Sequence, residues 1–253
     1  MSDILLLILA GIFLPLFPMS MIFNALVDKT TNAWLRSFIF VAWPLCGVVL
    51  VSNVTINQPA WLLPLVLFTS LIYAVRILTL REVTQWTGFL ATSVWTLLWI
   101  PVIQETPAGM LYIYALSMAF PLMLLVTLST GLEKRFGAAY TDLYGGLART
   151  IPRFSGILVV VIVASIATPV FPTFFILFDI VVDTITSEPA IAFVLMLDWL
   201  LWSWAGARLV QGLIVGRASQ VHIRDMSMPT VGLYAIGLLG LAVGGVYISG
   251  EIL

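Results

Sequence analysis

The chain has 253 residues, of which 61% are hydrophobic and only 9% charged, with a formal net charge of −1 and a mean hydropathy of +1.12. Soluble domains carry about 25% charged residues, so an ordinary soluble fold and a basic nucleic-acid-binding surface are both excluded. A single cysteine, Cys46, and a single histidine, His222, exclude a disulfide framework, a paired-cysteine metal site and a multi-histidine centre.

In chain order the apolar runs predict an all-α, polytopic transmembrane helix bundle of about eight helices, with residues 1–253 as one domain. The spans are Ile4–Val27, Ser37–Ser52, Ala60–Leu80, Gln85–Ile103, Ala108–Thr130, Phe154–Val182, Ala190–Val215 and Pro229–Ser249. A crossing needs about 20 apolar residues, which puts the second span at the lower limit. Met1-Ser2-Asp3 lacks the basic start of a cleavable signal, so the first run is expected to stay as a helix. Pro15, Pro18, Pro44, Pro64 and Pro121 predict kinks in helices one, two, three and five.

The charges test this division independently. Lys29 and Arg36, Arg76 and Arg81, then Lys134, Arg135, Arg149 and Arg153, then Arg217 and Arg224 fall in or beside alternate connections, with Arg208 near the end of span seven. The opposite ends carry only the acids Asp3, Glu105, Asp183, Glu188 and Glu251. By the positive-inside bias the basic loops are cytoplasmic and both termini are not. A bacterial inner membrane is the expected location.

The organising stretch runs from Leu132 to Asp183. It opens with a charged loop turning at Gly145-Gly146 and continues as an apolar run too long for one straight crossing. Thr168, Pro169 and Pro172 predict a discontinuity in this sixth helix. Proline removes a backbone donor, and a break inside lipid persists only where protein or a cavity satisfies the freed groups.

Ionisable groups inside the membrane are the candidate site, because placing them there is costly. Asp198 is the deepest acid. Arg208 follows ten residues later, about 15 Å along a helix, too far for a direct pair. Asp179 and Asp183 lie one turn apart near the outer end of helix six. Asp198 is either a proton-relay or ion site or a buried carboxyl satisfied by hydrogen bonds. Arg208 is either a charge partner to a neighbouring helix or chain or a side chain reaching for the interface. Gly237, Gly240 and Gly244 have the small-residue spacing of close helix packing. No cofactor motif, metal site or autonomous catalytic set is present in the sequence.

Three stretches carry a family resemblance: Tyr144-Gly145-Gly146-Leu147-Ala148-Arg149 with Ile151-Pro152-Arg153-Phe154, then Ala164-Ser165-Ile166-Ala167-Thr168-Pro169, then the aromatic-rich half-helix after it. They resemble the antiporter-like membrane subunits of respiratory complex I, the Mrp-type cation/proton antiporters and the proton-conducting subunit of inorganic-carbon uptake complexes. The similarity covers residues 108–253, while residues 1–107 match weakly, through Leu14-Pro15-Leu16-Phe17-Pro18 and Asn24. Family members are about twice as long and hold two inverted five-helix repeats. The family's Leu-Ser-His motif aligns with Leu116-Ser117-Met118, so its histidine is Met118 here. Its acid or lysine after the break aligns with Leu177, with Asp179 two positions on, about 200° around a helix.

The resemblance therefore implies a shortened member that keeps the scaffold and lacks most conducting residues. The expectation is a structural or adaptor component of a proton- or cation-coupled complex, packed against a full-length antiporter-like proton-conducting subunit, with a soluble catalytic subunit attached. The alternative is a subunit that translocates protons or ions itself through Asp198 and Asp179. A small-molecule carrier using the broken helix is a third reading.

Overall fold

In the computed structural model, residues 2–52, 59–141, 145–186, 188–216 and 223–252 are described, and they fold as helices joined by short connections. The helices are α1 (Ser2–Phe13), α2 (Ser20–Lys29), α3 (Ala33–Ser52), α4 (Leu62–Ile77), α5 (Val83–Thr96), α6 (Trp99–Ile103), α7 (Ala108–Phe136), α8 (Leu147–Thr150), α9 (Pro152–Ser165), α10 (Pro172–Ile185), α11 (Pro189–Ile214) and α12 (Met228–Ile252). Five stretches are long and apolar enough to cross a membrane: Ala33–Ser52, Val83–Ile103, Ala108–Phe136, Pro189–Ile214 and Met228–Gly250. The chain is an integral membrane protein.

The stretch comprising α5 and α6 is the axis of the bundle. Its apolar window is 83% buried, against 28% for α12. Position in the bundle follows composition. Thr84, Thr87, Thr92, Ser93 and Thr96 of α5 are all fully buried, and a hydroxyl in a lipid-surrounded core needs an acceptor. Thr87, Thr92 and Thr96 find one in their own helix, on the carbonyls of Val83, Gly88 and Thr92. The outer face of α12 is instead apolar, with Leu233, Ile236, Leu239, Val243 and Val246 each at least 65% exposed, as a lipid-facing stripe requires.

The connections bearing the basic residues meet at one end of the bundle. Thr141 N–H donates to the Arg81 carbonyl at 2.9 Å and Val83 N–H to Ala139. Gln85 reaches Asp28 at 3.4 Å, and Asp225 accepts from the backbone of Arg153 and Phe154. His222 and Arg217 lie outside the described residues.

The structure corrects the predicted boundaries in three places. The second span is not short: α3 begins at Ala33 and has 20 residues, because Arg36, assigned to a loop, is 3% exposed and ion-paired. The fifth span does not stop at Thr130: α7 continues through Glu133, Lys134 and Arg135 to Phe136, and Gly137 closes it at φ 80°, a conformation suited to glycine. The first span is not one kinked helix. The chain leaves helical geometry after Phe13 and resumes at Ser20. The segment between α9 and α10, residues 166–171, is likewise non-helical.

Candidate functional site

Asp198 lies in the middle of α11 and is fully buried. Beside it is Ser70 of α4, which meets Ser93 of α5, the residue that Trp202 of α11 also reaches. Ser70 is the neighbouring polar side chain, but its hydroxyl is engaged with Ser93, donating to that residue's carbonyl at 3.0 Å and lying 3.1 Å from its Oγ. Ser93 returns a bond to the Ser70 carbonyl at 2.8 Å and accepts the Trp202 indole N–H at 2.9 Å. The serine pair thus ties α4 to α5 and, through Trp202, to α11. Among the described residues, neither Asp198 carboxylate oxygen has a hydrogen-bond partner.

The other candidates from the sequence sit elsewhere. Asp179 of α10 accepts a short hydrogen bond from the Tyr114 hydroxyl of α7. Arg208 is exposed and donates to the Leu78 carbonyl at 2.8 Å, at the C-terminus of α4, where a cation complements the helix dipole. Arg76 stacks over Phe89, 5.2 Å from its ring centroid. Asp198, Asp179 and Arg208 therefore have separate surroundings.

The Thr168–Pro172 segment is held from several sides. Thr168 Oγ1 donates to the Val163 carbonyl at 2.6 Å. Trp199 Nε1 donates to the Ala167 carbonyl at 2.9 Å, and Thr173 Oγ1 to the Ser117 carbonyl at 3.3 Å. Ala167 and Val170 have φ of 55° and 88°, which L-residues adopt only where the surroundings enforce it. Of the three glycines assigned to helix packing, Gly237 and Gly244 have neighbours only at 4.0 Å, and Gly240 faces open space. Gly245 of α12 makes a tighter contact. A Cβ there would stand 2.2 Å from the Val170 carbonyl oxygen.

The segment between α1 and α2 is satisfied in the same manner. Trp43 Nε1 donates to the Ile12 carbonyl at 3.0 Å and Trp99 Nε1 to Leu14 at 2.9 Å. Thr96 Oγ1 donates to the Pro15 carbonyl at 2.6 Å, and Phe17 N–H to Thr69 Oγ1 at 3.1 Å. The sequence signal for the likeness is Pro15-Leu16-Phe17-Pro18 set beside Pro169-Val170-Phe171-Pro172, a repeat that counting single prolines overlooked.

Sequence reasoning also missed a charged cluster at the basic end. Arg36 and Glu133 form an ion pair at 2.8 Å, with side chains 4% and 23% exposed. Thr130 accepts from Arg36 at 3.1 Å, and Thr84 donates to Glu133 at 2.6 Å. The cluster joins α3, α5 and α7. Glu82, just before α5, has its carboxyl pushed up by burial and by the charges of Asp28 and Glu133, against the opposing Arg36. At Asp225 burial is outweighed by backbone N–H groups of Arg153, Met226 and Phe154 and by the Arg153 charge, which hold its carboxyl below the usual range. Among the described residues, no group of three or more His, Cys, Asp or Glu side chains could hold a metal ion.

No family model matches the chain. An uncharacterized protein of Aquifex aeolicus (strain VF5) is 23% identical over 203 residues, covering 80% of this chain and 82% of its own length. A chain of respiratory complex I from Thermus thermophilus with bound NADH is 17% identical, with a TM-score of 0.82 over 96% of this chain and 54% of that one. A chain of the Mrp complex from Dietzia sp. DQ12-45-1b gives 14% identity and a TM-score of 0.77, over 99% and 55%. A chain of the membrane-bound sulfane sulfur reductase, an archaeal respiratory membrane complex, gives 12% and 0.79, over 96% and 52%. This chain thus spans about half the length of the solved chains it matches. It shares its fold with these chains of membrane complexes.

Proposed function

We propose that the protein is a half-length antiporter-like subunit that serves as a structural component of a proton- or cation-coupled membrane complex. The observation that carries this reading is the isolation of Asp198. The side chain that acts on it is the Ser70 hydroxyl, while Asp179 is engaged by Tyr114 and Arg208 by the Leu78 carbonyl. A relay between ionisable groups needs them within reach of one another, directly or through water. Likeness to chains of three multi-subunit membrane complexes supports a partnered role.

In this reading α1 with α2, and α9 with α10, are two discontinuous crossings. With α3, α4, α5–α6, α7, α11 and α12 they make eight. The basic end faces the cytoplasm, following the positive-inside bias. The partner is a full-length antiporter-like chain that supplies the conducting groups, with a soluble catalytic subunit on the assembly.

The second reading is translocation through Asp198 itself. Its two buried, unpartnered carboxylate oxygens favour that reading, since such a group is costly unless it is used. Capture of the tagged protein from native membranes in mild detergent separates the two. Co-purification with a full-length antiporter-like chain supports the structural role. Isolation as the chain alone, active in Asp198-sensitive proton flux after reconstitution, would overturn it.

A further inference from the structure

We propose that the crevice between α7 and α12 binds a phospholipid, with one acyl chain laid along the groove and the phosphate-ester end at Tyr234. Two hollows, of about 220 and 330 Å³, follow one another along these helices. The first is walled by Met123 and Leu124 of α7, Leu233 and Tyr234 of α12, and Trp34 of α3. The second is walled by Phe120 of α7, Gly237, Gly240 and Gly244 of α12, and Pro172 of α10. They join at Gly237, where even an added Cβ would stand 4.0 Å from Phe120 and Leu124. The space exists because α12 packs mainly on α10 and α9.

Length selects the occupant. From Leu233 to Gly244 the groove runs about 16 Å at the helical rise of 1.5 Å per residue. That is close to half of the roughly 30 Å hydrocarbon core. The groove ends at Pro172, beside the interruption between the 14-residue helices α9 and α10. A spanning partner helix needs contact across both leaflets, whereas an acyl chain fills one.

The other end of the groove has the character of a membrane–water interface. Trp34 stands there, 86% exposed, as tryptophan does in interfacial belts, and Lys134 and Arg135 lie in the last turn of α7 just beyond. Ser37 and Thr127 line the wall, but their hydroxyls bond each other at 2.8 Å and the carbonyls of Ala33 and Met123. Tyr234 differs. It is 9% exposed, yet among the described residues its hydroxyl has no hydrogen-bond partner, and the side chain acting on it is Arg135, through its charge. A polar group left unsatisfied away from water is costly. A phosphate or ester oxygen at this place would accept a hydrogen bond from the Tyr234 O–H. Arg135 gives one donor to the Gly131 carbonyl, and a guanidinium carries five.

The test uses the full chain, in whatever complex it joins, purified in a neutral detergent and incubated with phosphatidylglycerol. Native mass spectrometry counts the lipid retained. The wild type is expected to hold one phosphatidylglycerol per chain through washing that strips bulk lipid. Gly240→Leu, which puts a side chain into the open space of the groove, should lower retention at least tenfold without lowering the melting temperature. Gly250→Leu, the same change in open space on the same helix but outside the groove, should leave retention unchanged. Tyr234→Phe keeps the groove and removes the hydroxyl, with a several-fold loss expected, and it carries the test should Gly240→Leu fail to fold. Retention indifferent to Gly240→Leu and Tyr234→Phe would overturn the proposal. So would cross-linking of Gly240→Cys, in a Cys46→Ser background, to another protein chain in native membranes, which would put a helix in the groove instead.

Discussion

Trp43 and Trp199 perform the same task at matching places in the chain. Each donates its indole N–H to a backbone carbonyl released at a helix interruption, and the acceptor lies 31 residues earlier in one case and 32 in the other. The acceptors, Ile12 and Ala167, stand just before the two Pro-x-Phe-Pro sequences. An irregular backbone surrounded by lipid must satisfy its polar groups within the protein. The tryptophan on the helix that follows is how this chain does so on both occasions.

Removing either indole N–H leaves a carbonyl without its partner. Trp43→Phe and Trp199→Phe should each cost about 1–3 kcal/mol, the penalty of an unsatisfied buried group. Trp204→Phe, at a side chain 58% exposed, should cost little. Thermal unfolding of the three variants in one detergent checks this. Equal stability of all three would show that these bonds do not hold the interruptions.

The Arg36–Glu133 pair predicts a second pattern. Breaking a buried ion pair by removing one partner costs about 3–5 kcal/mol, whereas replacing both with apolar groups is often much milder. Glu133 is partly exposed, so Glu133→Leu should fall at or below the low end of that range. Arg36→Met, which leaves Glu133 facing Thr84 alone, should be comparable. The double substitution should be less destabilised than the sum of the two, as measured by the same unfolding assay.

Stability should respond to pH through two groups outside the spans, with opposite signs. Asp225 has a lowered folded-state value, so its contribution is present above the ordinary carboxylate range, near pH 4, and is lost as pH falls through the lowered value. Asp225→Asn should flatten that acid limb. Glu82 has a raised value, so its contribution is full below the ordinary range and is lost as pH rises through the raised value. Glu82→Gln should therefore be more stable than the wild type at neutral pH. Melting midpoints measured across pH for both variants check the two signs.

Helix packing gives a sharper contrast than glycine spacing suggests. Gly245→Ala sets a methyl against the Val170 carbonyl, with only 2.2 Å available, and should cost about 1–3 kcal/mol or more as an overpacked contact. Gly240→Ala, facing open space, should be neutral. The reverse order of stabilities would place the contact of α12 at the GxxxG glycines after all.

Composition made the membrane class and the helical fold legible, because 61% hydrophobic residues leave few alternatives. The gathering of basic connections at one end was legible for a related reason, since charge placement follows topology more closely than helix boundaries do. Arg36 and Glu133 read as parts of two separate charged connections, and a sequence does not reveal that the two face one another across 97 positions. The first interruption was overlooked because Pro15 and Pro18 were weighed as separate kinks. Asp198 was legible as the deepest acid. Its lack of a partner was not, because that depends on Ser70 giving its hydroxyl to Ser93, a pairing between two other helices.

The most direct test of the structural role is coupled cation flux by the assembled complex carrying Asp198→Asn, reconstituted in liposomes and compared with wild type at equal assembly. The proposed role predicts flux close to wild type, because the conducting groups reside in the partner. Full assembly with flux abolished would contradict it and make Asp198 part of the pathway.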